Sequence, residues 1–447
     1  MSSNIYQNKN LADLFLNREI SVFLNILIFI TGFLSTQRFS FEPLNTYMCM
    51  FPFLVSLFYL IQNRHSFALS FAVLSLVLVA DNGAGIYQET IPLIRYIIYS
   101  YCLFLLFFLS LGKVNSSGIL SLLSLLMVVL LATVLFGDNI SFDALRRDIQ
   151  VIIIISMTII FAGKKAEINL PIIFMGFLGY LLGEVVNSSF FYVYEGRYLS
   201  YNSLKTICLF PFLYILYRSP KLLILIVLGV LLSQVLLLFG TRMIVLTSLV
   251  FILMSYALLA SKRQLFYLAL FFTSLIFLFS LGPVQEILFL LKQSPYKTIR
   301  FLAEVASLQS IQLEVLGDID QIRYAEWLIF FDRPTIEIIL GSGLGTGLED
   351  RNGLLGFVGY NWSSFSPEEI NSDVFYNLHD YWTDFGLRFG LIPIFYFFYR
   401  FSIYEILKGD RLRGVILGML LLNATYSMAG LILTSLFFRF FPARYKD

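Results

Sequence analysis

Long apolar runs alternate with short polar links along this chain. The runs lie near 19–36, 43–61, 66–81, 91–111, 118–136, 149–162, 168–186, 203–217, 221–239, 243–260 and 264–281, then, after a polar stretch, near 387–406 and 413–438. A helix needs roughly 20 residues to cross a bilayer core, and most of these runs approach that length. The pattern predicts an all-α, polytopic membrane bundle of about 12–14 transmembrane helices, interrupted by one large outer loop. Three parts follow: an N-terminal bundle over 1–281, the long connection over 282–386, and C-terminal membrane helices with a tail over 387–447.

Composition sharpens the class. Of 447 residues 58% are hydrophobic and only 13% charged, with a mean hydropathy of +0.80. A soluble chain carries about 25% charged residues. A net charge of +2 leaves no basic field for nucleic acid. Cys49, Cys102 and Cys208 fall in apolar runs far apart, so no disulfide framework is implied. The polar N-terminal segment and the absence of a small-residue cleavage site after the first run speak against a cleaved signal.

Sidedness follows from the short links, because Lys and Arg favour the cytoplasmic face. With the N-terminus inside, the inner links hold Arg64, Lys113, Lys164, Lys165, Arg218, Lys221, Lys262, Arg263, Lys408, Arg411 and Arg413, besides Lys9 and Arg18. The outer short links hold Arg38, Arg146, Arg147, Arg197 and Arg242. Thirteen uninterrupted spans would put Arg439, Arg444 and Lys446 outside, against the rule. Either the run 413–438 is a broken helix pair turning near Asn423–Ser427, or another boundary differs.

The long connection falls on the outer side. Segments 297–316 and 319–331 have amphipathic helical spacing, and GSGLGTG at 341–347 reads as a turn. Without a following Lys–Ser/Thr it is no P-loop. Glu349, Asp350, Glu368, Glu369 and Asp373 show no spacing that fixes a metal and read as a solvated acidic face. No metal and no cofactor are expected.

Candidate chemistry begins with the outer cations that break the charge rule. Arg197 in GRYLSYN and Arg242 in FGTR each sit just ahead of an apolar run. A helix N-terminus offers free N–H groups and a partial positive charge, and an arginine fork there suits phosphate oxygens. His379 ends the long connection, and imidazole is the usual base for a hydroxyl proton. His65 beside Arg64 reads as a solvated loop residue. Arg323 in RYAEW is a third anion candidate, against a plain surface pair with Asp320 or Glu326. Each feature has an ordinary structural reading too; their shared face is what singles them out.

The segments GRYLSYN, FGTRM, RYAEWLIFFDRPTIEIILGSGLGTG and HDYWTDFGLRFGL resemble those of the O-antigen polymerase and O-antigen ligase superfamily, bacterial membrane glycosyltransferases. The likeness covers the layout of the whole chain, and Asp380 stands where that family commonly has asparagine. The resemblance implies a C-type glycosyltransferase-like bundle with a large helical periplasmic loop, in the bacterial inner membrane. It implies a donor glycan on undecaprenyl diphosphate, Arg197 and Arg242 holding the diphosphate, and His379 as general base. Arg323, Asn202 and Tyr381 are further substrate-binding candidates. The implied partners are the lipid-linked oligosaccharide, the bilayer and a chain-length regulator protein. The reaction expected is polymerisation onto the non-reducing end of another lipid-linked repeat; the alternatives are ligation to lipid A–core or, in another class, flipping of a lipid-linked oligosaccharide. In that last reading Arg95 is the clearest mid-span charge.

Overall fold

The computed structural model describes residues 18–35, 42–80, 92–195, 281–293, 321–357, 365–376, 378, 381–423 and 428–441, with isolated helical positions between 266 and 303. The expected runs over 203–260, nearly all of 264–280 and 297–316, and the candidates Arg197, Asn202, Arg242 and His379, lie outside the described residues.

The described chain is mostly helical. Seven helices open it: α1 (Arg18–Leu34), α2 (Glu42–Ile61), α3 (His65–Ala80), α4 (Pro92–Ser110), α5 (Ser116–Phe136), α6 (Phe142–Ile160) and α7 (Leu170–Glu195). Their bounds follow the apolar runs closely, except that α6 starts several residues early and α7 runs longer. The early start of α6 lets Phe142–Asp148 continue as helix into a polar turn.

The core forms around α3. Ala68, Leu69, Ala72, Val73, Leu76, Val77 and Val79 are fully buried, as a helix apolar on every side requires. Its few hydroxyls are satisfied within the bundle: Ser70 Oγ accepts from the Asn169 amide at 2.7 Å and donates to the Ser66 carbonyl at 2.7 Å. Nearby, the Ser56 hydroxyl donates to the Ala68 carbonyl at 2.5 Å. Helices α1 and α7 approach closely at Gly32, Gly176 and Gly179, where any Cβ would overlap backbone or Leu74. In contrast α5 turns most of its apolar side chains outward, with Leu120, Met127 and Val134 at least two-thirds exposed.

The long connection contributes α8 (Gly282–Lys292), α9 (Gln321–Phe331), α10 (Thr335–Leu340), the two-residue strands β1 (Leu348–Glu349) and β2 (Val374–Phe375), α11 (Leu354–Phe357) and α12 (Pro367–Ser372). The strands pair antiparallel, Leu348 opposite Phe375. A second small core of Ala325, Ile329, Phe330, Leu348, Leu355, Phe365, Phe375 and Leu387 knits these pieces together. The amphipathic reading of 319–331 matches α9.

The acidic-face expectation needs correction at two positions. Asp350 and Glu369 are buried, because each caps backbone N–H groups that the short helices leave free. The Asp350 carboxylate accepts from Leu354 and Leu355 N–H at 2.9 and 2.7 Å. Glu369 forms a capping box with Ser366 and also accepts from the Tyr376 amide at 2.8 Å. His65 also departs from its expectation: it opens α3, lies edge-on to Phe108 at 5.9 Å and buries Nδ1.

After the connection come α13 (Tyr381–Phe389), α14 (Leu391–Phe398), a π-helical turn (Tyr399–Ile403), α15 (Tyr404–Leu407), α16 (Arg411–Asn423) and α17 (Met428–Phe440). The run 387–406, expected as one span, is bent by 114° at Gly390. Gly390 has φ +78°, and a Cβ there would overlap the Leu340–Gly341 backbone. The carbonyls that the break exposes find partners in the turn at 341–343: Ser342 N–H donates to Leu387 at 2.7 Å and Gly343 N–H to Arg388 at 3.1 Å.

The run 413–438 is two helices folded against each other. Arg413, at the start of α16, donates to the Phe438 carbonyl near the end of α17 at 2.7 Å. Two helices in contact thus stand where the sequence reading offered a broken pair as one alternative. At the same end, Ile168 N–H donates to Phe440 at 2.9 Å, and Val114 bridges Phe161. That end gathers Lys113, Lys164, Lys165, Lys408, Arg413 and Arg439, while the long connection covers the other.

Among the described residues, α5 alone is long and apolar enough by itself to cross a membrane, and the bent segment Thr383–Leu407 is a second if taken as one span.

Candidate functional site

The long connection closes over the start of α6. There the glycine-rich turn spends its amides on protein. Besides the two bonds to the α13 carbonyls, Leu344 N–H donates to Thr133 Oγ1 at 2.9 Å and Gly345 N–H to Asp148 Oδ2 at 2.7 Å. Gly343 adopts φ +95° against the Thr133 backbone, where a side chain would not fit. Four consecutive occupied N–H groups leave no cradle for a phosphate, in line with the turn reading of GSGLGTG.

Asp148 belongs to a buried ionic network. The Arg388 guanidinium, 1% exposed, lies with Nε 3.2 Å from Asp148 Oδ2 and donates to Asp384 Oδ1 at 2.6 Å. It also donates to the Tyr376 carbonyl at 2.5 Å. Arg147 donates to that same carbonyl at 2.7 Å and stands 3.5 Å from Asp384. Two arginines and two aspartates thus join α6, α13 and the strand β2 segment. Buried charges persist only when paired and hydrogen-bonded in this way. Asp148 stands just ahead of the apolar run 149–162; burial pushes its carboxyl up to about 6, against the pull of Arg388, the Gly345 N–H and Arg147.

Beside this network opens a cavity of about 1040 Å³. Its walls come from the start of α4 (Arg95, Tyr96, Tyr99), from α6 (Asp143, Arg146, Arg147, Asp148), from α12 with Tyr376 and Leu378, and from α13 (Asp384, Arg388). Arg95 is on the first turn of α4, at the cavity wall. Its Nε is buried without a hydrogen-bond partner among the described residues. Arg146 pairs with Asp143 at 3.3 Å in an exposed position. Tyrosine faces, guanidinium groups and carboxylates in one recess can receive an anionic group together with a polyol: rings stack on sugar faces, and arginine forks meet phosphate oxygens.

Of the residues singled out from the sequence, Arg323 lies on α9 and Tyr381 opens α13, with only their helical backbone described. Leu378, which lines the cavity, directly precedes His379 in sequence. The reading missed Asp148, Asp384 and Arg388. Arg388 sits inside the quoted HDYWTDFGLRFGL, and Asp148 follows the paired arginines in RRD at 146–148, so both signals were present. What the sequence could not supply was their pairing. Among the described residues no group of three His, Cys, Asp or Glu side chains is placed to hold a metal ion.

Compared with known protein families, curated proteins and solved structures, the chain matches none.

Proposed function

We propose that this chain is a membrane glycosyltransferase that polymerises a surface glycan at the outer face of the bacterial inner membrane. The observation that carries the reading is the cavity beneath the long connection, where Arg95, Arg146 and Arg147 from two helix starts face tyrosines and carboxylates. Outward-facing apolar side chains on α5, with Phe23 and Ile26 on α1 and Phe104 on α4, support immersion in a bilayer. Water would penalise an apolar patch of that extent. The cation-rich end then faces the cytoplasm by the charge rule, and the hairpin α16–α17 returns the tail there.

In this reading the donor is a glycan on undecaprenyl diphosphate. The anomeric carbon–oxygen bond to the diphosphate breaks, and the acceptor hydroxyl oxygen forms the new bond to that carbon. His379 takes the hydroxyl proton, and undecaprenyl diphosphate leaves with the negative charge. Arg197 and Arg242 stabilise that charge; Arg95 joins them as a further anion ligand. Preorganised positive groups aimed at developing charge are the largest single source of such catalysis. Arg388 and Asp148 position the connection over the site. Asn202, Tyr381 and the cavity tyrosines serve the sugars.

Deletion followed by lipopolysaccharide electrophoresis tests the reading. A single repeat on the core supports polymerisation. Complete loss of repeats from the core makes the chain a ligase, and an unchanged ladder rejects both.

A further inference from the structure

The end of the bundle away from the long connection holds a second recess. A cavity of about 260 Å³ opens between the α6–α7 link, the π-helical turn with α15, the start of α16 and the end of α17. Among the described residues, five cationic side chains line it, Lys164, Arg400, Lys408, Arg413 and Arg439, against one carboxylate, Glu405. Glu405 lies 3.7 Å from Arg413 Nε. Lys164 has its own partner outside the recess, Glu167 at 2.6 Å.

The guanidinium groups are held in place by protein and, among the described residues, remain short of counter-charge. Arg439 donates to the carbonyls of Thr158 and Ile159 at the buried C-terminal end of α6, which favours a cation. Arg400 lies over the Tyr404 ring at 4.7 Å and the Phe438 ring at 5.7 Å. Among the described residues, the Nε atoms of Arg413 and Arg439 are both buried with no hydrogen-bond partner. Gathering several like charges in a partly buried recess is costly unless an anion enters. Arginine forks and lysine ammonium groups together match the tetrahedral oxygens of phosphate.

We propose that this recess binds a phosphate group, either free or carried on a lipid headgroup. The volume accommodates one phosphate with several waters of about 30 Å³ each. The site is separate from the cavity under the long connection and does not depend on the reaction proposed there.

The test uses the purified full chain in neutral detergent. Thermal unfolding is followed while inorganic phosphate replaces chloride at constant ionic strength, and in a second series while phosphatidylglycerol replaces a zwitterionic lipid. Arg400→Gln and Lys408→Gln are measured alongside the parent; Lys408 is exposed, so its replacement leaves the packing intact. The melting temperature is expected to rise with the phosphate-bearing ligand, with about tenfold weaker apparent affinity in each variant. A rise with inorganic phosphate shows that the free ion suffices; a rise with phosphatidylglycerol alone assigns the site to a headgroup. No rise in either series, or the same rise in parent and both variants, overturns the proposal.

Discussion

Arg388 on α13 reaches back to Asp148 on α6, with Nε 3.2 Å from Oδ2, both side chains almost wholly buried. Through this contact the long connection is fastened to the bundle, since Asp148 also accepts the Gly345 N–H at 2.7 Å. The cavity wall depends on it.

Replacing Arg388 with Ala would remove the nearest cation from buried Asp148 and leave Asp384 and the Tyr376 carbonyl to Arg147. Breaking one partner of a buried pair costs about 3–5 kcal/mol. The expected result is a lower melting temperature and poorer accumulation in the membrane. The paired replacement Arg388→Met with Asp148→Leu should recover part of that loss. A melting temperature for Arg388→Ala equal to the parent's would mean that the contact contributes nothing.

Stability should also respond to pH through Asp148. Its folded value of about 6 lies above the ordinary 3.8, so the folded chain binds the proton more tightly than the unfolded one. The contribution is therefore complete below the ordinary value and is lost as pH rises towards 6, amounting to about 3 kcal/mol across that window. Melting temperatures of the parent and Asp148→Asn, compared from pH 4 to 7, should diverge with pH. A constant offset would contradict the raised value.

Arg95 gives the sharpest test of the proposed chemistry, because its buried Nε has no hydrogen-bond partner among the described residues. Arg95→Gln should lower chain extension on the order of 100- to 1,000-fold with normal protein levels. Arg197→Ala, Arg242→Ala and His379→Ala should do likewise. Wild-type polymer from all four variants would dismiss the assignment.

The α16–α17 hairpin predicts the side of the tail. Single cysteines at Lys113→Cys and Lys446→Cys, in a background lacking Cys49, Cys102 and Cys208, should react with an impermeant thiol reagent from the same side of the membrane. Labelling from opposite sides would show that α16 and α17 are not a returning pair.

Local patterning already made much of this molecule legible. The bounds of α1 to α5 follow from where apolar runs stop, since each run ends at polar or turn residues that cannot continue the helix. GSGLGTG reads as a turn because consecutive glycines accept the positive φ seen at Gly341, Gly343 and Gly345. Periodicity could not reveal the bend at Gly390, because the apolar run continues straight through it. That break exists only because the 341–343 turn comes from elsewhere to satisfy the freed carbonyls.

By itself, then, the order of residues determined helical class, the apolar lengths and the sorting of cations towards one end, all of which depend on near neighbours and on the solvent each face prefers. The tertiary structure alone decided that Asp148 and Arg388 would meet and that Arg95 would face a cavity. Those outcomes are pairings between distant segments, and a buried charge selects its partner by three-dimensional proximity, which no local pattern encodes.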